Sequence, residues 1–220
     1  AAQTSILLIP PFGGAQFVNP LAVSADGNSI VGYGGTGLLC HQRAFVWTAA
    51  QGTSVLPLLG GDPCNGEAPR ATAISRDGQY AAGMAPINLY NIHHAVRWTL
   101  AGIPSIEDLG VVAGPPNSTR SDATGLSFSG SVVVGQSGGC GNARPFRWSN
   151  GSMSALTSCS DPLMSDARAC NADATVAVGR IILSNDQAAR WVVGSPVELL
   201  GFLPGTNQSM ATAVDGSGTV

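Results

Sequence analysis

At 220 residues, 44% of them hydrophobic and only 10% charged, the chain is long enough to bury a real core and too apolar to be disordered. A formal net charge of -3, with arginine as the only strongly basic residue and no basic run, excludes an electrostatic nucleic-acid footprint or a polybasic membrane patch. No apolar run approaches the ~20 residues that span a bilayer, and the opening AAQTS is what cleavage at a small-residue site would leave.

In chain order, SILLIPPFGG (5–14) comes first, an apolar run ending in Gly-Gly. AVSADGNSIVG (22–32) follows, with Asp26 and Gly27 set between alternating apolar residues. That is a hairpin signal, because a tight turn needs a positive φ that Gly and Asp tolerate. Gly32, Gly34 and Gly37 then spell G-x-G-x-x-G, yet the LLCHQRAFVWTAA behind them carries no helix-start signal and no acidic residue comes before Asp62. A dinucleotide fingerprint needs a helix at that point, so this reading fails. RAFVWT (43–48), carrying Trp47, and TSVLPLLGG (53–61) complete a first unit.

The same three elements then recur. AISRDGQYAAG (73–83), GLSFSGSVVVG (125–135) and CNADATVAVG (170–179) repeat the turn at Asp77-Gly78, Ser129-Gly130 and Asp173-Ala174, and close on Gly83, Gly135 and Gly179 as the first closes on Gly32. HAVRWT (94–99), RPFRWS (144–149) and AARWVV (188–193) carry Trp98, Trp148 and Trp191, the remaining tryptophans. PSIEDLGVVAG (104–114), SMSALTS (152–158) and PVELLGFLPG (196–205) follow them, and TAVDGSGTV (212–220) opens one more copy with its turn at Ser217. No window sustains a helical period, and β-branched runs such as SVVVG read as strands. Units of about 44–52 residues with four short strands each predict an all-β, β-propeller-like domain. Its expected units are 22–70, 71–122, 123–168 and 169–210, with a split fifth unit formed by 1–21 and 211–220.

The order A-x-A-V-S-x-D-G-x-x-V-V-G, then A-F-x-W-T, then L-G-x-L-P-G resembles the HAF-repeat family, named for a His-Ala-Phe tripeptide, over essentially the whole chain. The tripeptide stands here as Arg43-Ala44-Phe45, His94-Ala95-Val96, Arg144-Pro145-Phe146 and Ala188-Ala189-Arg190. The resemblance implies a secreted or cell-surface β-repeat protein of bacterial type, and implies no reaction.

Five cysteines bear on the compartment. Cys40 and Cys140 precede their tryptophans by similar intervals, and Cys64 and Cys159 both follow the third element of those units. Equivalence favours Cys40–Cys64 and Cys140–Cys159, among the three pairings that four cysteines permit, and such bridges imply an oxidising compartment. Cys170 is left over in a predicted strand, either buried, bridged to another molecule or exchanged with Cys159.

Catalytic signals are thin. No C-x-x-C or clustered His suggests zinc, and no G-x-S-x-G elbow anchors a nucleophile. His41, His93 and His94 read as surface loop or strand-edge residues, and Glu107 and Glu198 as structural members of the third element. Asp26 and Asp77 are expected to bond their own turn backbone, and the tryptophans to pack between sheets. No catalytic residue, cofactor or metal is therefore assigned. The expected function is a non-enzymatic extracellular structural or adhesive repeat protein whose terminal segments complete the split blade, either within one molecule, closing a five-unit propeller, or between molecules, building a head-to-tail polymer. The alternatives are a propeller binding an extracellular glycan or protein on loops 34–42, 86–93 and 138–142, and, third, a glycosidase-like hydrolase.

Overall fold

The computed structural model describes residues 8–36, 38, 41–60, 68–87, 92–113, 120–138, 143–157, 164–182 and 184–220. Cys40, Cys64, Cys140 and Cys159 lie outside the described residues, and so do their pairings. The first sheet holds β1 (Phe17–Val23), β2 (Ser29–Gly35), β3 (Arg43–Thr48) and β4 (Gly52–Val55). The second holds β5 (Arg70–Ile74), β6 (Tyr80–Pro86), β7 (His93–Thr99) and β8 (Ser105–Asp108). In the third are β9 (Ser121–Leu126), β10 (Val132–Ser137), β11 (Arg144–Ser149) and β12 (Ser152–Ala155). The fourth is built from β13 (Met164–Cys170), β14 (Val176–Ile182), β15 (Asp186–Val192) and β16 (Glu198–Gly201). All four are antiparallel meanders in chain order, and the fold is all-β and propeller-like. Each sheet begins before its repeat motif, because the motif opens partway along the first strand.

A four-residue turn, S-x-D-G in the first two sheets, joins each first strand to its second. Ser24 Oγ donates to Asp26 Oδ1 at 2.6 Å, Asp26 Oδ1 accepts from the Asn28 amide at 3.0 Å, and Gly27 sits at φ 74°. The Ser24 bond, followed by those from Asn28, holds the Asp26 carboxyl below its ordinary 3.8, at about 2. Asp77 repeats the arrangement with Ser75 and Gln79, and Asp173 does so with Thr175. Ser129 lies 3.4 Å from both Ser127 Oγ and the Ser131 amide, and its short contact, 2.7 Å, is with the Ser131 hydroxyl.

Every first strand bulges at one place, between Pro20 and Ala22, Ala71 and Ala73, Ala123 and Gly125, and Ala167 and Ala169. The bulge swings a carbonyl against the second strand. A Cβ on Gly32, Gly83, Gly135 or Gly179 would stand only 1.9–2.0 Å from the carbonyl oxygen of Asn19, Arg70, Asp122 or Asp166. This close approach, and no nucleotide, is why the closing glycine recurs.

The core lies between sheets. Val31, Val46 and Leu56 of the first meet Ala81, Val96 and Trp98 of the second. Leu109 and Val112 meet Val133, Phe146 and Trp148, and Val132 and Val134 meet Ile181 and Trp191. A smaller cluster sets Val176 and Val178 against Ala211. Residues 211–220 contain a turn and no strand, which corrects the hairpin expected there. The segment docks on sheet four, with the Ala211 amide donating to Gly179 O at 3.1 Å. At the other end, Phe12 packs on Phe45 with ring centroids 6.1 Å apart, and Pro10 O accepts from Thr53 Oγ1 at 2.6 Å.

Candidate functional site

Neighbouring sheets are joined by repeated bonds, of which the backbone arc serves all three junctions and the threonine and arginine bonds serve those between sheets two and three and between sheets three and four. The residue after the first turn position forms an arc of backbone hydrogen bonds: Ala25 N–H to Arg76 O, Arg76 N–H to Phe128 O, and Phe128 N–H to Ala172 O, at 3.0, 3.0 and 2.8 Å. A longer fourth member runs from Ala172 N–H to Gly216 O at 3.4 Å. At the bulge, Thr72 Oγ1 donates to Ala123 O at 2.7 Å and Thr124 Oγ1 donates to Ala167 O at 2.6 Å. The arginine before the tryptophan completes the set. Arg97 donates to Gly130 O at 3.0 Å and Arg147 to Ala174 O at 3.1 Å, each carbonyl lying in the next sheet's turn.

Trp47, Trp98, Trp148 and Trp191 are all buried between the sheets. Trp98 donates its indole N–H to Pro57 O at 2.9 Å, and the Arg97 guanidinium lies 4.7 Å from the Trp148 ring centroid. The Arg-Trp dipeptides thus face different neighbours, as strand alternation requires. Glu107 and Glu198 accept from Arg97 and Arg190 on the adjacent strand. Cys170 is the one free thiol among the described residues, and burial pushes it up to about 12, which keeps it protonated and unreactive.

The first strands of sheets two, three and four diverge around a cavity of about 240 Å³, lined by Arg70, Thr72, Asp122, Thr124, Gln136, Asp166 and Arg168 among others. Asp122 is the hub on one side. His93 Nε2 stands 3.3 Å from Asp122 Oδ2, Gln136 Nε2 donates to the same oxygen at 3.3 Å, and Arg70 lies 3.8 Å from Oδ1. Burial pushes the Asp122 carboxyl up, but the bond and charge of His93, with Gln136 and Arg70, outweigh it and leave the pKa lowered. On the other side Arg168 donates to Asp166 at 3.0 and 3.4 Å, Arg180 donates to Asp166 at 3.0 Å, and Arg180 also pairs with Asp186. The Asp166 bond, the largest influence on Arg180, raises its pKa.

Histidine is where sequence reasoning went wrong. His93 opens β7 and is buried there, where a surface-loop or strand-edge residue was expected, because its neighbour Asp122 comes from another sheet. His94, one residue on, points the other way and binds Asp108 at 2.8 Å. Burial would raise the Asp108 carboxyl, but His94 and the Gly110 amide hold it low. His41 lies 2.7 Å from Thr36 Oγ1. Of the expected binding loops 34–42, 86–93 and 138–142, residues 37, 39–40, 88–91 and 139–142 lie outside the described residues. Among the described residues no three His, Cys, Asp or Glu groups gather as a metal site. Arg70, Asp122, Asp166 and Arg168 were not singled out from the sequence, although the position before the bulge reads Asn19, Arg70, Asp122 and Asp166, varied on an otherwise constant frame.

No family model matches the chain, and no curated protein matches it. Several solved structures share its fold. TolB from Acinetobacter baumannii is similar at 18% identity and a TM-score of 0.53, over 82% of this chain and 42% of that one. A protein of Agrobacterium tumefaciens assigned as a TolB gives 16% and 0.59, over 86% and 63%. A puromycin-hydrolyzing peptidase of Mycobacterium tuberculosis gives 17% and 0.54, over 88% and 31%. The chain thus spans less than two thirds of each, and at these identities the likeness establishes the fold alone.

Proposed function

We propose that this chain is a non-enzymatic extracellular structural and adhesive repeat protein that associates head to tail through the outer faces of its first and fourth sheets. The observation that carries the reading is one interface used over and over. Its backbone arc joins each pair of neighbouring sheets, and residues 211–220 begin it again on sheet four. Both outer faces are apolar. Pro20, Leu21, Ala22, Val23 and Ile30 line an open groove on sheet one, and Leu199, Leu200, Phe202 and Leu203 are exposed at sheet four. By contrast, Leu56 and Leu109, which follow β4 and β8, are buried against the next sheet. Contiguous apolar surface marks an interaction site, and two unlike complementary faces generate a heterologous contact that repeats along a row. The HAF-repeat resemblance and the matched cysteine positions support an extracellular setting.

Light scattering together with negative-stain microscopy tests this. The chain is expected to grow in mass with concentration and form rows or closed rings, and Leu21→Asp with Val23→Asp is expected to return it to monomers that keep their fold. A wild-type chain that stays monomeric at every concentration sinks the reading. A second reading, a propeller that binds an extracellular glycan or protein, is favoured by the charged cavity between β5, β9 and β13.

A further inference from the structure

We infer that a groove on the outer face of sheet four binds a tryptophan-bearing β-hairpin of another protein. The inference goes beyond the head-to-tail reading, because a second copy keeps all four of its tryptophans buried in its own sheets and cannot supply that side chain.

The internal interfaces show what covers such a face. Leu56, Leu109, Leu156 and Leu200 hold one repeat position, each directly after the fourth-strand residue, Val55, Asp108, Ala155 or Leu199, that pairs with Phe45, Val96, Phe146 or Ala189. Leu56 packs in one cluster with Trp98, Leu109 with Trp148 and Leu156 with Trp191, in each case the tryptophan of the next sheet. Leu200 meets no such tryptophan among the described residues and is 38% exposed, against 1% for Leu56 and 5% for Leu109. The arginine before the tryptophan repeats the pattern. Arg97 gives Nε and Nη2 to Glu107 and Nη1 to Gly130 O in the next sheet's turn, and lies 4.7 Å from the Trp148 ring centroid. Arg147 gives Nε to Ala174 O, again in the next sheet's turn. Arg190 pairs through Nη1 with Glu198, but its Nε is buried with no hydrogen-bond partner. Leaving a buried N–H unpaired is costly, so a ligand carbonyl that accepts it is favoured.

Between Arg190, Glu198 and Leu200 on one side and Gly218, Thr219 and Val220 on the other runs a groove of about 320 Å³. That is the low end of the ~300–1,000 Å³ of ligand sites, room for one large side chain. Val220 stands two residues after the turn glycine, as Tyr80 and Val132 do at the first positions of β6 and β10. The groove therefore opens where, in sheets two and three, a second strand runs beside its tryptophan-bearing neighbour, with Ala81 opposite Trp98 and Val133 opposite Trp148. A hairpin added there gains backbone bonds for affinity and one pocket for specificity. A guanidinium and a leucine in that pocket favour tryptophan, which buries the most apolar area and offers the best ring face to a cation.

The test is calorimetry of the full chain, at a concentration where it is monomeric, with a synthetic peptide of residues 80–99, which spans β6 and β7, and with its Trp98→Ala form, followed by NMR of the Arg190 Nε–Hε signal. The tryptophan peptide is expected to bind and to shift that signal, and the alanine peptide to bind more weakly by about tenfold or more. Arg190→Met in the chain is expected to lose about tenfold in affinity for the tryptophan peptide. If Arg190→Met fails to fold, the two peptides and the wild-type signal decide. No binding of the tryptophan peptide, equal binding of the two peptides, or an Arg190 signal that stays unmoved overturns the inference. Peptide binding by a chain that stays monomeric at every concentration sinks the head-to-tail reading and leaves this one standing, whereas rows that form from a chain that binds no peptide sink this one alone.

Discussion

Gly83 and Gly102 show how differently two glycines can be required. Gly83 has no positive φ, and its constraint is space, since a Cβ would lie 1.9 Å from Arg70 O. Gly102 sits at φ 70° with nothing within 4 Å of a Cβ, so only the left-handed backbone constrains it. Gly83→Ala is expected to cost about 3 kcal/mol, at the upper end of overpacking, because the clash is with main chain that cannot turn aside. Gly102→Ala is expected to cost about 1 kcal/mol. Urea unfolding of the two variants checks this, and equal losses would refute the close-approach account. At this scale the repeat made Gly32, Gly83, Gly135 and Gly179 legible as one position, but its reason was not, because the clashing oxygen belongs to a bulge on the neighbouring strand.

At the scale of the element, the bulge residue acts outside its own sheet. Thr72 and Thr124 each send a hydroxyl to the carbonyl of the next first strand. Thr72→Val and Thr124→Val keep the shape and remove the donor, leaving Ala123 O or Ala167 O without that bond. Each is expected to lower stability by about 1 kcal/mol, read by thermal or denaturant unfolding, and no change in either would show that the bond contributes nothing. Strand positions, the Asp-Gly turns and the tryptophans were legible from the repeat itself. Alternation of side chains says which residues of RAFVWT and HAVRWT go inward, whereas the threonines occupy an extra residue in the ladder that breaks the alternation. His93 was misread for a related reason, since its partner Asp122 lies in another sheet.

For the whole molecule, stability is a sum of sheets and the interfaces between them. Sheets two and three are covered on both faces by other sheets, while sheet one leaves Leu21 and Val23 exposed and sheet four leaves Leu199 and Leu200 exposed. Amide hydrogens of β6 and β10 are therefore expected to exchange with solvent more slowly than those of β1 and β16 at concentrations where the chain is monomeric. Uniform exchange across the four sheets would mean that they open together. The charged cavity belongs to this scale as well. Arg70, Asp122 and Asp166 occupy one repeat position in three successive sheets, and only their convergence around the inner strands makes them neighbours. A repeat search keeps what is alike between copies and passes over such positions, where the copies differ.

The bonds between sheets from the turn arc, the bulge threonines, the arginines before the tryptophans and the Trp98 indole share one more property, which the Asp122 contacts do not. Pro57, Arg76, Ala123, Phe128, Gly130, Ala167, Ala172 and Ala174 all accept through main-chain carbonyl oxygens, so the receiving side needs a backbone shape and no particular side chain. A blade of this design is an interchangeable part. These bonds demand no matching substitution in a neighbour when a unit is duplicated, deleted or reordered, whereas side-chain pairs such as His93–Asp122 do, and at the carbonyl-accepting positions each copy drifts independently, as Ser129 has from Asp77.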